Sequence, residues 1–109
     1  MSSQEMRITA AVPTVLVDDG RVRVTKWTFD AGASTGMHTH EFDYLVVPVT
    51  GGEFAAAVQD GTVTPMSQTP GGAYARSAGI THDVRNVGQS VASFVEIEFL
   101  DSGGEASRA

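Results

Sequence analysis

Apolar and polar residues alternate with a period of two through most of this chain, and the three- and four-residue spacing of an amphipathic helix does not recur. Val22, Val24 and Lys26 alternate with Arg23, Thr25 and Trp27, while Phe42, Tyr44, Val46 and Pro48 alternate with Asp43, Leu45, Val47 and Val49. Both runs predict strands, because successive side chains of extended backbone point to opposite faces. Further strands are expected over 12–17, 54–59, 62–66, 73–76, 81–87 and 91–100. Turn signals separate them: Asp18-Asp19-Gly20, Ala31-Gly32-Ala33, Gly51-Gly52, Asp60-Gly61, Pro70-Gly71-Gly72 and Val87-Gly88. The run Gln59-Asp60-Gly61-Thr62 reads as a tight hairpin. Twelve glycines and many short, evenly spaced strands predict an all-β barrel or sandwich.

Length and charge narrow this picture. A chain of 109 residues has room for one domain, 1–109, with its core over about 12–100 and loose polar tails at 1–5 and 102–109. No apolar run reaches the ~18 residues of a membrane span, and the first ten residues lack the layout of a secretory signal, so a cytoplasmic protein is expected. With no cysteine, a metal would have to be held by nitrogen and oxygen. A net charge of −6, with seven Lys and Arg in the whole chain, argues against nucleic acid and anionic membranes as partners.

The three histidines fall within two short segments, 32–51 and 71–86. His38 and His40 are one residue apart, so on a strand both rings emerge from one face. His82 lies three residues beyond Gly79 and four before Asn86, where a neighbouring strand could bring a third ring to the same point. Three converging imidazoles make a metal site. Asn86 is read as ordering the turn after the His82 strand, and Gly51 and Gly79 as places where a Cβ would clash.

These residues resemble the two signature motifs of the cupin superfamily. Gly32, His38, His40 and Gly51 stand at the places of the first motif, G-x5-H-x-H-x3-E-x6-G, with Tyr44 at the glutamate position. Gly71, Gly79, His82 and Asn86 match the second, G-x5-P-x-G-x2-H-x3-N, with Ser77 in place of the proline. The resemblance spans roughly 21–100 and implies a double-stranded β-helix with a metal near its mouth, held by His38, His40 and His82. The segments 27–32 and 38–44 also look like a subgroup of short bacterial cupins, some associated with β-alanine degradation, a hint toward small carboxylate or amino-acid metabolism.

The departure at Tyr44 bears on mechanism. Strand alternation puts His38, His40, Phe42 and Tyr44 on one face, and Glu41 and Asp43 on the other, so those acids do not replace the missing glutamate. A phenol, with a reference pKa of about 10, is a poor ligand at neutral pH. Its hydroxyl could serve as acid or base or orient a substrate; the competing reading is an inward aromatic that fills the barrel. Three neutral ligands leave the cation's charge uncompensated and favour an anionic substrate, hydroxide or dioxygen. Glu96 and Glu98 share a face of the last strand, opposite Val95, Ile97 and Phe99. They could complete the metal shell if that face were inward, but an outward, solvated face is expected. Phe29, Phe42, Phe54, Phe94, Phe99 and Trp27 are read as packing before pocket lining. Met37 precedes a ligand and could shield it. Arg76 could bind a carboxylate, although a solvent-facing or salt-bridged role is the expectation.

Two function classes follow. In the favoured one the protein is a metalloenzyme acting on a small, anionic substrate, with dioxygenase-type chemistry at Fe(II), while Zn, Ni, Mn or Cu remain compatible with a histidine-only site. In the other, the barrel binds or senses a small ligand without turnover, or runs non-redox lyase or isomerase chemistry. A homodimer is expected, with the strand at 12–17 as the candidate for pairing across a two-fold axis.

Overall fold

A computed structural model of the chain describes residues 9–102. Nine strands are present among them: β1 (Val12–Asp18), β2 (Val22–Phe29), β3 (His38–Thr39), β4 (Asp43–Pro48), β5 (Gly52–Ala57), β6 (Val63–Gln68), β7 (Tyr74–Arg76), β8 (Thr81–Asn86) and β9 (Ala92–Phe99). A single 3-10 turn, Leu100–Ser102, follows. The expected tails lie outside the described residues except for Ser102, whose hydroxyl donates to Phe99 O and accepts from Asp43 N.

The strands form two sheets, ordered β1-β2-β9-β4-β7 and β3-β8-β5-β6, and every pairing is antiparallel. From β2 onward the chain crosses between the sheets at every step except β5 to β6, so the two layers roll around a common interior. The expected all-β architecture is therefore the one observed. Its hairpin at 58–62 is closed by Val58 N–H to Thr62 O and Gly61 N–H to Val58 O, with Gly61 at φ 93°.

Alternation decides what faces inward. On β2 the inward row is Arg23, Thr25, Trp27 and Phe29; on β9 it is Ala92, Phe94, Glu96 and Glu98; on β4 it is Tyr44, Val46 and Pro48. At the closed end these rows are apolar. Phe29, Phe54 and Phe94 meet there with ring centroids 5.1–5.6 Å apart, and Phe29 and Phe54 are fully buried. Such contacts add about 0.5–1.5 kcal/mol each beyond area burial. Toward the open end the same rows become polar, which is where the histidines lie.

Two positions show why particular residues are required. A Cβ on Gly51 would stand 2.6 Å from Pro70 Cδ and 2.9 Å from Gln68 O, and its φ is 75°. Asn86 is almost fully buried. Its side-chain amide lies 2.8 Å from Ser90 O, 3.3 Å from Phe29 O and 3.4 Å from Asp30 O, and its Oδ1 accepts from Gly88 N–H. It does order the turn after β8, and it also reaches back to the end of β2.

Candidate metal centre

The backbone sets the two histidine segments side by side. β3 and β8 pair with His38 opposite His82, and beyond this short ladder His40 N–H donates to Ile80 O while Gly79 N–H donates to His40 O. Gly79 takes a φ of 99° to make that return. The approach to β3 is fixed by Thr35, whose N–H donates to Val84 O and whose hydroxyl accepts from Val84 N–H. The backbone between His40 and β4 is not extended as a strand, so the expected continuous run is interrupted. His40 and Tyr44 nevertheless both turn inward and stack, with centroids 4.0 Å apart and planes 20° from parallel.

The three Nε2 atoms converge. His40 Nε2 lies 3.0 Å from His38 Nε2 and 3.1 Å from His82 Nε2, and all three donors lie within 4.8 Å of one another. Nitrogens bound at about 2.1 Å to one ion stand about 3.0–3.4 Å apart for angles between 90° and the tetrahedral value. The observed spacings match the lower end of that range. His38 Nδ1 lies 2.8 Å from Gly36 O, and a carbonyl only accepts, so Nδ1 carries the proton and Nε2 presents its lone pair to the cluster. Burial, followed by the charges of the other imidazoles, depresses His40 to about 4; burial, followed by His38 and Arg76, depresses His82 to about 4. Both rings are therefore neutral at pH 7, the form that binds a cation.

Above the cluster lies a cavity of about 170 Å³, with His38 and His82 at its base and Trp27, Tyr44, Met66, Tyr74 and Phe94 around its wall. Trp27 and Phe94, read from sequence as packing, thus also line the cavity, whereas Phe29 and Phe54 are purely core. Met37 is 50% exposed and does not shield the cluster. Burial raises the Tyr44 hydroxyl far above its ordinary range, and Glu96 adds to the effect, so the phenol stays protonated and can only be a neutral donor or acceptor at neutral pH.

One expectation is overturned. Glu96 and Glu98 face the interior, and the apolar row Val95, Ile97 and Phe99 faces outward. Glu96 is 8% exposed, with Oε2 3.9 Å from His40 Nε2; burial, and then Glu98, push its carboxyl up to about 7. Glu98 stands opposite Tyr44 and lies 3.7 Å from the Arg23 guanidinium. Arg76, opposite Tyr44 on β7, also lines the cavity. Its guanidinium lies 4.5 Å over the Tyr74 ring and donates to Ala75 O, and among the described residues it forms no ion pair.

Comparison with known proteins identifies the fold and the family. A cupin domain from Bordetella pertussis Tohama I superposes with a TM-score of 0.82 at 40% identity, covering 86% of this chain and 97% of that one. The chain is a cupin. It is also 45% identical over 89 residues to the β-alanine degradation protein BauB of Pseudomonas aeruginosa, covering 81% of this cupin and 92% of the relative. An RmlC-like cupin from Methanocaldococcus jannaschii, 13% identical, shares the double-stranded β-helix fold with a TM-score of 0.68 over 86% of this chain and 84% of that one. No protein-family model matches the chain.

Proposed function

We propose that this cupin is a metal-dependent enzyme acting on a small anionic metabolite, with His38, His40 and His82 holding a divalent first-row cation, Fe(II) foremost, for dioxygenase-type chemistry. The observation that carries this reading is the convergence of three Nε2 atoms at 3.0 and 3.1 Å beneath a cavity. When bound, such a cation supplies Lewis acidity and one-electron chemistry toward dioxygen.

The chain's own residues do the rest. At about 170 Å³ the cavity is smaller than the roughly 300–1,000 Å³ of sites for drug-sized ligands, so it suits a metabolite of a few carbons. Arg76 pairs with the substrate's carboxylate, held by its contact with Tyr74. Trp27, Met66 and Phe94 exclude water from the opposite wall. Tyr44, fixed against His40, donates its hydroxyl to the substrate. The name of the Pseudomonas relative, a β-alanine degradation protein, fits a carboxylate-bearing metabolite of this size.

The working unit we propose is a cytoplasmic homodimer. Every residue of β1 is exposed, with Val12, Val15 and Leu16 each more than half so, and among the described residues β1 pairs only with β2. On the outer face of the same sheet Val24, Ile97 and Leu45 form one row across three strands, beside Val95 and Val47, and all are partly exposed. A second copy covers this surface.

The test is metal analysis of protein purified without an affinity-tag nickel step, followed by oxygen uptake with a panel of small dicarbonyls, thiols and carboxylates. Stoichiometric iron with substrate-triggered oxygen consumption is the expected result. Protein that takes up no divalent metal would overturn the reading, and metal without turnover would leave a ligand-binding cupin.

A further inference from the structure

The first cupin motif carries a glutamate where this chain has Tyr44, and the space beside His40 is filled by the Tyr44 ring stacked at 4.0 Å. Three neutral imidazoles leave a divalent cation uncompensated in a half-buried site. The compensating charge stands on the adjacent strand. Glu96 and Glu98 of β9 both face inward, but Glu98 is matched by Arg23 at 3.7 Å. Glu96 is more deeply buried, and among the described residues its only basic neighbour within ion-pair distance is His40. A carboxylate buried without a cationic partner is costly, and a bound cation removes that cost.

The distance from Glu96 to His40 permits a shared ion. Two donors each about 2.1 Å from one ion stand from about 3.0 Å apart at a right angle to about 4.2 Å apart when opposed. Glu96 Oε2 and His40 Nε2, at 3.9 Å, fall within that interval. His40 belongs to both donor groups whose atoms lie within 4.8 Å of one another, His38–His40–His82 and His40–Glu96–Glu98. Glu96 belongs to the second group alone, so the ligation proposed below requires its side chain to turn toward His38 and His82.

We propose that Glu96 is the fourth protein ligand of the cation, the motif's carboxylate having passed from β4 to the neighbouring β9; this rests on the three-histidine site proposed above. The position is opened by Tyr44, whose protonated phenol occupies the motif's glutamate place without supplying charge.

The experiment is Co(II) titration of metal-stripped protein, read by d–d absorption and by the rise in melting temperature on metal addition, for wild type, Glu96→Gln and His82→Ala. Glutamine keeps the shape of Glu96 and removes its charge, so the variant folds. The expected result is a loss of about 100-fold in Co(II) affinity for Glu96→Gln, the upper end of what even outer-shell partners contribute. A changed d–d spectrum and a smaller metal-induced melting shift accompany it. Unchanged affinity, or weaker binding with an unchanged spectrum, overturns the assignment of Glu96 while loss of binding in His82→Ala keeps the three-histidine site. Wild-type binding by His82→Ala overturns that site itself and the Glu96 assignment with it.

Discussion

Asn86→Ala is expected to destabilise this protein by about 3 kcal/mol. The amide carries two protons, so at most two of the three carbonyl oxygens at 2.8, 3.3 and 3.4 Å are served at once. With the bond that Oδ1 accepts from Gly88 N–H at 2.9 Å, three hydrogen bonds are lost. At about 1 kcal/mol each, their net worth is about 3 kcal/mol. Water can reach Ser90, which is exposed, and recovers part of the loss there; Phe29 O lies deep, where water does not replace the lost amide. For a domain of this size the change corresponds to a fall in Tm of roughly 12–20 °C. Asn86→Asp sharpens the test, because it keeps the acceptor for Gly88 but aims a second oxygen at three carbonyls and buries a charge. It should cost more than alanine at pH 7. Urea unfolding of metal-stripped protein measures both, and a loss below about 1 kcal/mol for alanine, or an aspartate variant no worse than alanine, would refute the role given to this side chain.

Tyr44→Phe keeps the ring on His40 and removes only the hydroxyl; Co(II) affinity should hold within about twofold while turnover of the metal-loaded enzyme falls about 100-fold or more. Unchanged turnover would return Tyr44 to packing. Glu96 titrates at about 7 in the folded chain and near 4.3 when unfolded, so between those values the folded state binds more protons and metal-stripped protein loses stability as pH rises, by about 3 kcal/mol across the window. Urea titrations of Glu96→Gln should match wild type near pH 4 and exceed it by pH 8; parallel curves would show that the burial of this carboxylate carries no cost. Ile97→Glu places a charge in the middle of the outer apolar row, and sedimentation should show the dimer dissociating to monomers; a wild-type monomer at micromolar concentration refutes the proposed assembly.

Most of the architecture was legible because alternation with a period of two is a local signal. The strand expected over 42–49 is β4, shorter by a residue at each end, and that expected over 91–100 is β9, shorter by one at each end. The histidine segments were legible through their spacing and its resemblance to the two cupin motifs, and the structure brings their rings together. What spacing could not show is contact between distant residues. The sequence marks Asn86 as ordering its own turn, yet two of its carbonyl neighbours belong to Phe29 and Asp30, more than fifty residues earlier in the chain. The pattern of β9 misleads for a different reason. Val95, Ile97 and Phe99 look like a core row, but they face outward, where no strand among the described residues covers the apolar surface of the large sheet.

The correct phase of β9 was available at its other end. Ala92 and Phe94 share the parity of Glu96 and Glu98, and Phe94 packs on Phe29 and Phe54 at the base of the barrel. One strand therefore runs from core to cup, and its inward row changes from apolar to acidic as the interior opens. Amphipathic scoring penalises that change, since it treats each face as uniformly wet or dry. A binding cavity needs the opposite: an inward face that begins as packing and ends as chemistry. The outward row can remain apolar throughout only if something covers it. Thus the feature that misleads the reading of β9 ties the inward carboxylate to the proposed dimer. If Ile97→Glu left the assembly intact, the outward apolar row would lose its explanation, while the inward placement of Glu96 would still follow from the parity of Phe94.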